Sequence, residues 1–134
     1  MNVLSVANEL KTQLQTITTL NVYVGPVRSV TPPAAVIVLP DNIQYDQTFG
    51  RGSDRMTWPI LLLEGLSADE NLVERIGQYA NGSGATSIKA VIEAGTYTSF
   101  HTVRVSSADF DTLTWEGIDY QAVLFELDIF GAGS

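Results

Sequence analysis

The residues of this chain that could do chemistry are few. His101 is the only histidine and there is no cysteine, so the usual zinc sites, which draw on several Cys or His ligands, cannot be assembled from it. Disulfides and thiol nucleophiles are excluded on the same ground. In the run His101-Thr102-Val103-Arg104-Val105, the histidine shares strand parity with two valines, which reads as a structural or strand-end residue. Gly82 to Lys89 (GSGATSIK) precedes a helical pattern and invites comparison with a phosphate-binding loop. It lacks the Gly-Lys-Ser/Thr ending and follows no strand, so a link between two helices, capped by Ser87, is the reading that fits. No Gly-x-Ser-x-Gly elbow occurs, and Asp41, Asp46 and Asp54 lack calcium-loop spacing. They read as solvated turn carboxylates. Neither an enzyme nor a cofactor is expected.

Two constellations remain. Arg51-Gly52-Ser53-Asp54-Arg55 is the one basic cluster in an acidic chain. It is either a soluble hairpin tip whose charges blunt edge-to-edge pairing, or a projecting contact for a neighbouring acidic subunit, with Arg51, Asp54 and Arg55 as the contact residues. In the last strand, Val123, Phe125, Leu127 and Ile129 share one face, while Tyr120, Ala122, Leu124, Glu126 and Asp128 share the other. That second face begins apolar and ends acidic. Glu126 and Asp128 either face solvent, meet a basic partner, or line a channel.

The elements that must position these residues follow from periodicity. Val3, Ala7, Leu10, Leu14 and Ile17 recur at alternating spacings of four and three, an amphipathic helix over residues 2–17. Leu20–Val24 and Ala34–Leu39 are short β-type runs bounded by Gly25-Pro26, Pro32-Pro33 and Pro40, and both read as buried. Ile43, Tyr45 and Phe49 alternate with polar residues, and the chain returns through Arg55–Leu63: a long hairpin, polar at its tip, with a core root at 60–63. Ser67-Ala68-Asp69-Glu70 has capping-box form and opens a helix with Leu72, Val73, Ile76 and Tyr79 on one face. Asn81-Gly82-Ser83-Gly84 stops it, a short helix follows over 87–93, and strands at 102–105 and 120–130 complete the chain. The expected fold class is α/β (α+β), a single-domain sandwich of residues 1–134 with a mixed sheet, a long hairpin and helices packed on it.

Composition bounds the partners. A chain of 134 residues, 45% hydrophobic, can bury one adequate core. Seven Lys+Arg against fifteen Asp+Glu give a formal charge of −8, which repels a phosphate backbone, so tight DNA binding is not expected. The longest apolar runs, AAVIVL and PILLL, fall far short of the ~20 residues of a membrane span. The first residues, MNVLSVANELKTQLQ, have helical period and not the form of a signal peptide, so a soluble product is expected.

Several segments in order resemble one family. They are NVYVGP at 21–26, VTPPAAVIVLPD at 30–41, Tyr45-Asp46, FGRGSDR at 49–55, SIKAVIE at 87–93, and Gly117-Ile118-Asp119-Tyr120 entering the last strand. Together with the amphipathic start they look like the tail terminator proteins of siphophages, particularly those infecting actinobacteria. The similarity covers nearly the whole chain and is densest from Pro32 to Arg55; segment 93–101 differs from the longer, Asp/Arg-containing version of those relatives. The resemblance implies a virion protein made in the bacterial cytoplasm, a small α/β subunit closing into a homohexameric ring on the finished tail tube. That ring would stop tube polymerisation, contact the tube protein, and offer the head-completion protein a joining surface while DNA passes through without being held. The family has no catalytic residues to carry over. A tail tube or connector subunit is the nearest alternative, distinguished by the number of rings per particle, and a small ligand-binding domain is a more distant one.

Overall fold

The computed structural model describes residues 1–25, 29–45, 53–65, 70–115 and 117–132. The elements run α1 (Val3–Leu14), β1 (Asn21–Val24), β2 (Ala34–Ile37), β3 (Asn42–Gln44), β4 (Ser53–Gly65), α2 (Glu70–Ala80), α3 (Ile88–Ala94), β5 (Thr102–Trp115) and β6 (Ile118–Ala132). Six strands form one mixed sheet in the order β1-β2-β4-β6-β5, with β3 pairing beside β2 along the same edge of β4. β1 and β2 are parallel and every other pairing is antiparallel. This is the expected α+β class.

β2 is apolar at every position because it is covered on both faces: Ala35 and Ile37 join the helix-side core, while Ala34 and Val36 join a second cluster on the other side. Strand parity does the sorting. On β4, Met56, Trp58, Ile60 and Leu62 turn toward the helices with Val123, Phe125, Leu127 and Ile129 of β6. Val6, Leu10 and Leu14 of α1, Ile76 and Tyr79 of α2, and Ile88 and Ile92 of α3 close over them. Trp58 is fully buried and its indole N–H donates to the Val38 carbonyl at 2.7 Å, so the largest core side chain leaves no polar atom unpaired.

The helices begin where the sequence signals them. The Asn2 side chain accepts from the Ser5 N–H at 2.9 Å, and Ser87 caps α3 by accepting from the Ala90 N–H at 3.1 Å. The Ser87 hydroxyl also donates to the Asn81 carbonyl, tying the α2–α3 link shut. Residues 67–69 of the capping box lie outside the described residues. α1 stops at Leu14, three residues short of expectation, yet Ile17 remains buried in the turn that follows.

One expectation about the strands needs correction. β5 runs over Thr102–Trp115, not 102–105, and pairs with β6 along its whole length through one bulge between Val105 and Ser107. The antiparallel arm at 43–49 is described only as the three residues of β3, paired with Arg55–Thr57; the tip from 46 to 52 lies outside the described residues. The apolar root of β4 pairs with β2 instead, Ala34–Ile37 against Ile60–Leu63.

Candidate functional site

Three helices pack on one face of the sheet, and the other face divides into two halves. At one end Val30, Ala34, Val36, Leu63, Tyr120 and Ala122 form a small buried cluster, in which Val30 comes from residues 29–33 ahead of β2 and acts as its roof. The Tyr23 hydroxyl accepts from the Thr31 N–H at 3.1 Å and the Asn21 side chain donates to the Thr31 carbonyl at 2.9 Å, fixing that roof. On the remaining half the described residues range from buried Pro59 to exposed Leu124, Asp109 and Asp111, and the register sets what it displays. Asp128 of β6 lies between Thr57 of β4 and Arg104 of β5, Glu126 between Pro59 and Ser107, and Leu124 between Leu61 and Asp109. Asp111 follows Asp109 on the same face of β5, opposite Ala122.

Glu126 and Asp128 are therefore brought to one surface and both turn away from the helices, as the alternation predicted. They are half-buried, not freely solvated. Asp128 Oδ1 accepts from Arg55 Nη2 at 2.7 Å, and the Arg55 guanidinium lies 5.7 Å from the centroid of the Phe130 ring. Arg55 is thus engaged within its own sheet, which corrects its reading as a free hairpin-tip charge. Arg51 lies outside the described residues.

Asp54 requires a larger correction. It is 4% exposed and belongs to the helix-side face, where its carboxylate lies 4.0 Å from the Met1 ammonium. It is neither a solvated turn carboxylate nor an accessible contact. The physical reason is parity: Asp54 is in step with Met56, Trp58 and Ile60, so the strand that points those residues inward points it inward too. Glu64, at the other end of the same face, is likewise buried, lies 3.7 Å from Arg75 Nε and accepts the Gly65 N–H at 2.9 Å. Both ends of β4 are fastened to the helix side by a buried carboxylate with a cationic neighbour.

A second polar station was not anticipated from sequence. Glu9 of α1 accepts from the Thr98 N–H at 3.0 Å and hydroxyl at 2.5 Å, and from the Ser99 hydroxyl at 2.8 Å, holding the segment between α3 and β5. Burial pushes this carboxyl up, but the Thr98 and Ser99 hydrogen bonds outweigh it and hold the group below the usual carboxylate range. Next to it, the Tyr97 hydroxyl donates to the Ile92 carbonyl at 2.6 Å, and its ring stacks on Phe100 with centroids 4.3 Å apart. Burial, with the Glu9 charge adding to it, pushes the Tyr97 phenol up to about 12. The only sequence signal was the pair of hydroxyl residues at 98 and 99. These bonds tie elements together and present no activated nucleophile.

His101 stands exposed just ahead of β5, its backbone N–H donating to the Phe130 carbonyl at 2.8 Å: a strand-end residue. Lys89, the cation of the phosphate-loop comparison, pairs with Glu93 at 2.6 Å one helical turn on. Among the described residues no group of three His, Cys, Asp or Glu is placed to hold a metal ion, and no helix is long and apolar enough to cross a membrane. No protein-family profile matches the chain, and neither does any curated protein sequence.

Proposed function

We propose that this chain is the tail terminator of a siphophage: a ring-forming structural subunit that caps the tail tube, stops its polymerisation and provides the head-joining surface. The ordered resemblance from residue 21 to residue 120 supports the family. The structural observation that carries the reading is the half-face turned away from the helices, on which Asp109, Asp111, Glu126 and Asp128 outnumber Arg55 and Arg104. A ring through which a genome slides must not grip it, since each phosphate neutralised by Lys or Arg adds affinity through counterion release. A formal charge of −8 per subunit, repeated around a ring, repels the duplex instead. In this reading the acidic half-face turns to the channel, no residue is catalytic, no cofactor is bound, and the partners are further copies, the tube protein and the head-completion protein.

Electron microscopy of particles from a phage lacking the gene tests the proposal. Tails of uncontrolled length, detached from filled heads, are the expected result. Normal tails joined to filled heads would overturn it.

A further inference from the structure

The helices leave two corners of the sheet's inner face incompletely covered, and both corners are apolar. One is a groove of about 390 Å³ where the start of α1 meets the ends of β1 and β2; Leu4 and Leu39 stand on its rim, 66% and 76% exposed. The other is a groove of about 320 Å³ between α2 and the β5–β6 pair, walled by Val73 and Phe110, 74% and 58% exposed, with Ile76 beneath. Val73 was expected on the buried face of α2; the stripe extends past the sheet's cover and leaves it outside.

The two corners are diagonally opposed. The first lies on β1 and β2 at the level of Trp58, the second on β6 and β5 at the level of Leu62 to Glu64. Strand rise and spacing put them on the order of 20 Å apart. No charged residue lines either groove, but Lys11 and Glu74 flank them. Lys11 lies one and two helical turns beyond Ala7 and Leu4, on the same line of α1. Glu74 borders Val73 and Gly77 on α2. Neither Lys11 nor Glu74 has an ion-pair partner among the described residues. Edge-to-edge pairing of strands is disfavoured by the β5 bulge and by Asp109 and Asp111 along that edge.

We propose that the occupant of each groove is the opposite groove's rim on a second copy of this chain: Leu39 and Leu4 of one subunit seat against Val73 and Phe110 of the next, with Lys11 meeting Glu74. Two unlike patches on one chain make a heterologous, head-to-tail contact, the kind that closes into a ring when the rotation per subunit permits. The inference deepens the ring-forming reading and rests on it only for closure.

The chain has no cysteine, so introduced thiols report contacts without background. Leu39→Cys and Phe110→Cys chains, each treated alone with a short bis-maleimide, should stay monomeric on a denaturing gel. An equimolar mixture should give dimers, and the chain carrying both substitutions should give a ladder. Adding Val73→Glu to the Phe110→Cys chain should abolish the mixed dimer while leaving the thermal melt unchanged. Dimers from either single variant alone, monomers in every arm, or capture of the Leu39→Cys thiol only by a different virion protein would each overturn the contact. Failed crosslinking beside overlong tails in the deletion phage would remove this interface and leave the terminator reading. Successful crosslinking beside normal tails would do the reverse.

Discussion

Arg55 and Asp128 meet diagonally across β4 and β6, the guanidinium Nη2 standing 2.7 Å from the carboxylate while their backbones are paired to Phe130 and Thr57. The cation links two strands distant in sequence and covers the Phe130 ring at the same time. The charge is engaged within the chain's own sheet.

The pair is partly exposed, so its contribution is small. Arg55→Ala should lower unfolding stability by about 0.5–1 kcal/mol, in the range of cross-strand pairs and discounted for solvent screening. A double-mutant cycle with Asp128→Ala in urea should return a coupling of similar size that shrinks with added salt. A coupling of zero would mean the guanidinium acts only through its contact with Phe130.

Trp58 is the more damaging position. Trp58→Phe removes the N–H donor from the Val38 carbonyl and should cost about 1–3 kcal/mol. Trp58→Ala empties the centre of the helix-side core and should cost about 3–5 kcal/mol. Chemical denaturation checks both, and equal losses would show that the missing N–H donor, not the emptied volume, sets the cost there.

Acid should loosen the bond between α1 and the segment ahead of β5. The Glu9 carboxyl is depressed in the folded chain, so its contribution is complete above its unfolded value, near 4.5, and is lost as the pH falls through the lower folded value. Melting temperatures across that window should fall more steeply for the unmodified chain than for Glu9→Gln. Parallel curves would remove Glu9 as a source of acid sensitivity.

The acidic half-face predicts how the protein treats duplex DNA. The unmodified chain should retain none in a filter or mobility assay even at low salt. Reversing Asp109, Asp111 and Glu126 to Lys, which spares the Arg55 partner, should create salt-dependent retention with a normal melting transition. Retention by the unmodified protein would contradict a repelling channel surface.

Much of this architecture is written in periodicity. The four-and-three spacing of α1, the unbroken apolar run of β2, the Ser87 cap and the alternation of β6 each predict what is found, because each local pattern agrees with its tertiary setting. The far half of β5 was missed because Ser106, Ser107, Asp109 and Asp111 are weak strand formers. There the β6 backbone, not propensity, holds the strand. Asp54 was misplaced because its charge outweighed its parity with Met56 and Trp58, and the Met1 ammonium beside it is remote in sequence. Glu9 with Thr98 and Ser99 is equally long-range, and no spacing rule reaches it.

The sheet's centre is made of the two paired strands that are farthest apart in time. β4 pairs across residues 53–65 with residues 120–132 of β6, its sole partner at Asp54 and Ser53 among the described residues. On a ribosome, Met56, Trp58, Ile60 and Leu62 emerge long before the strand that will flank them. Helices α1 to α3 can gather over that apolar face early, but the opposite edge of β4 stays an open template until β6 arrives. Contacts of such long sequence separation make folding slow and the waiting edge prone to capture by another nascent chain. Yield at high expression should therefore be limited by the delay between two strands more than by the stability of the finished sheet.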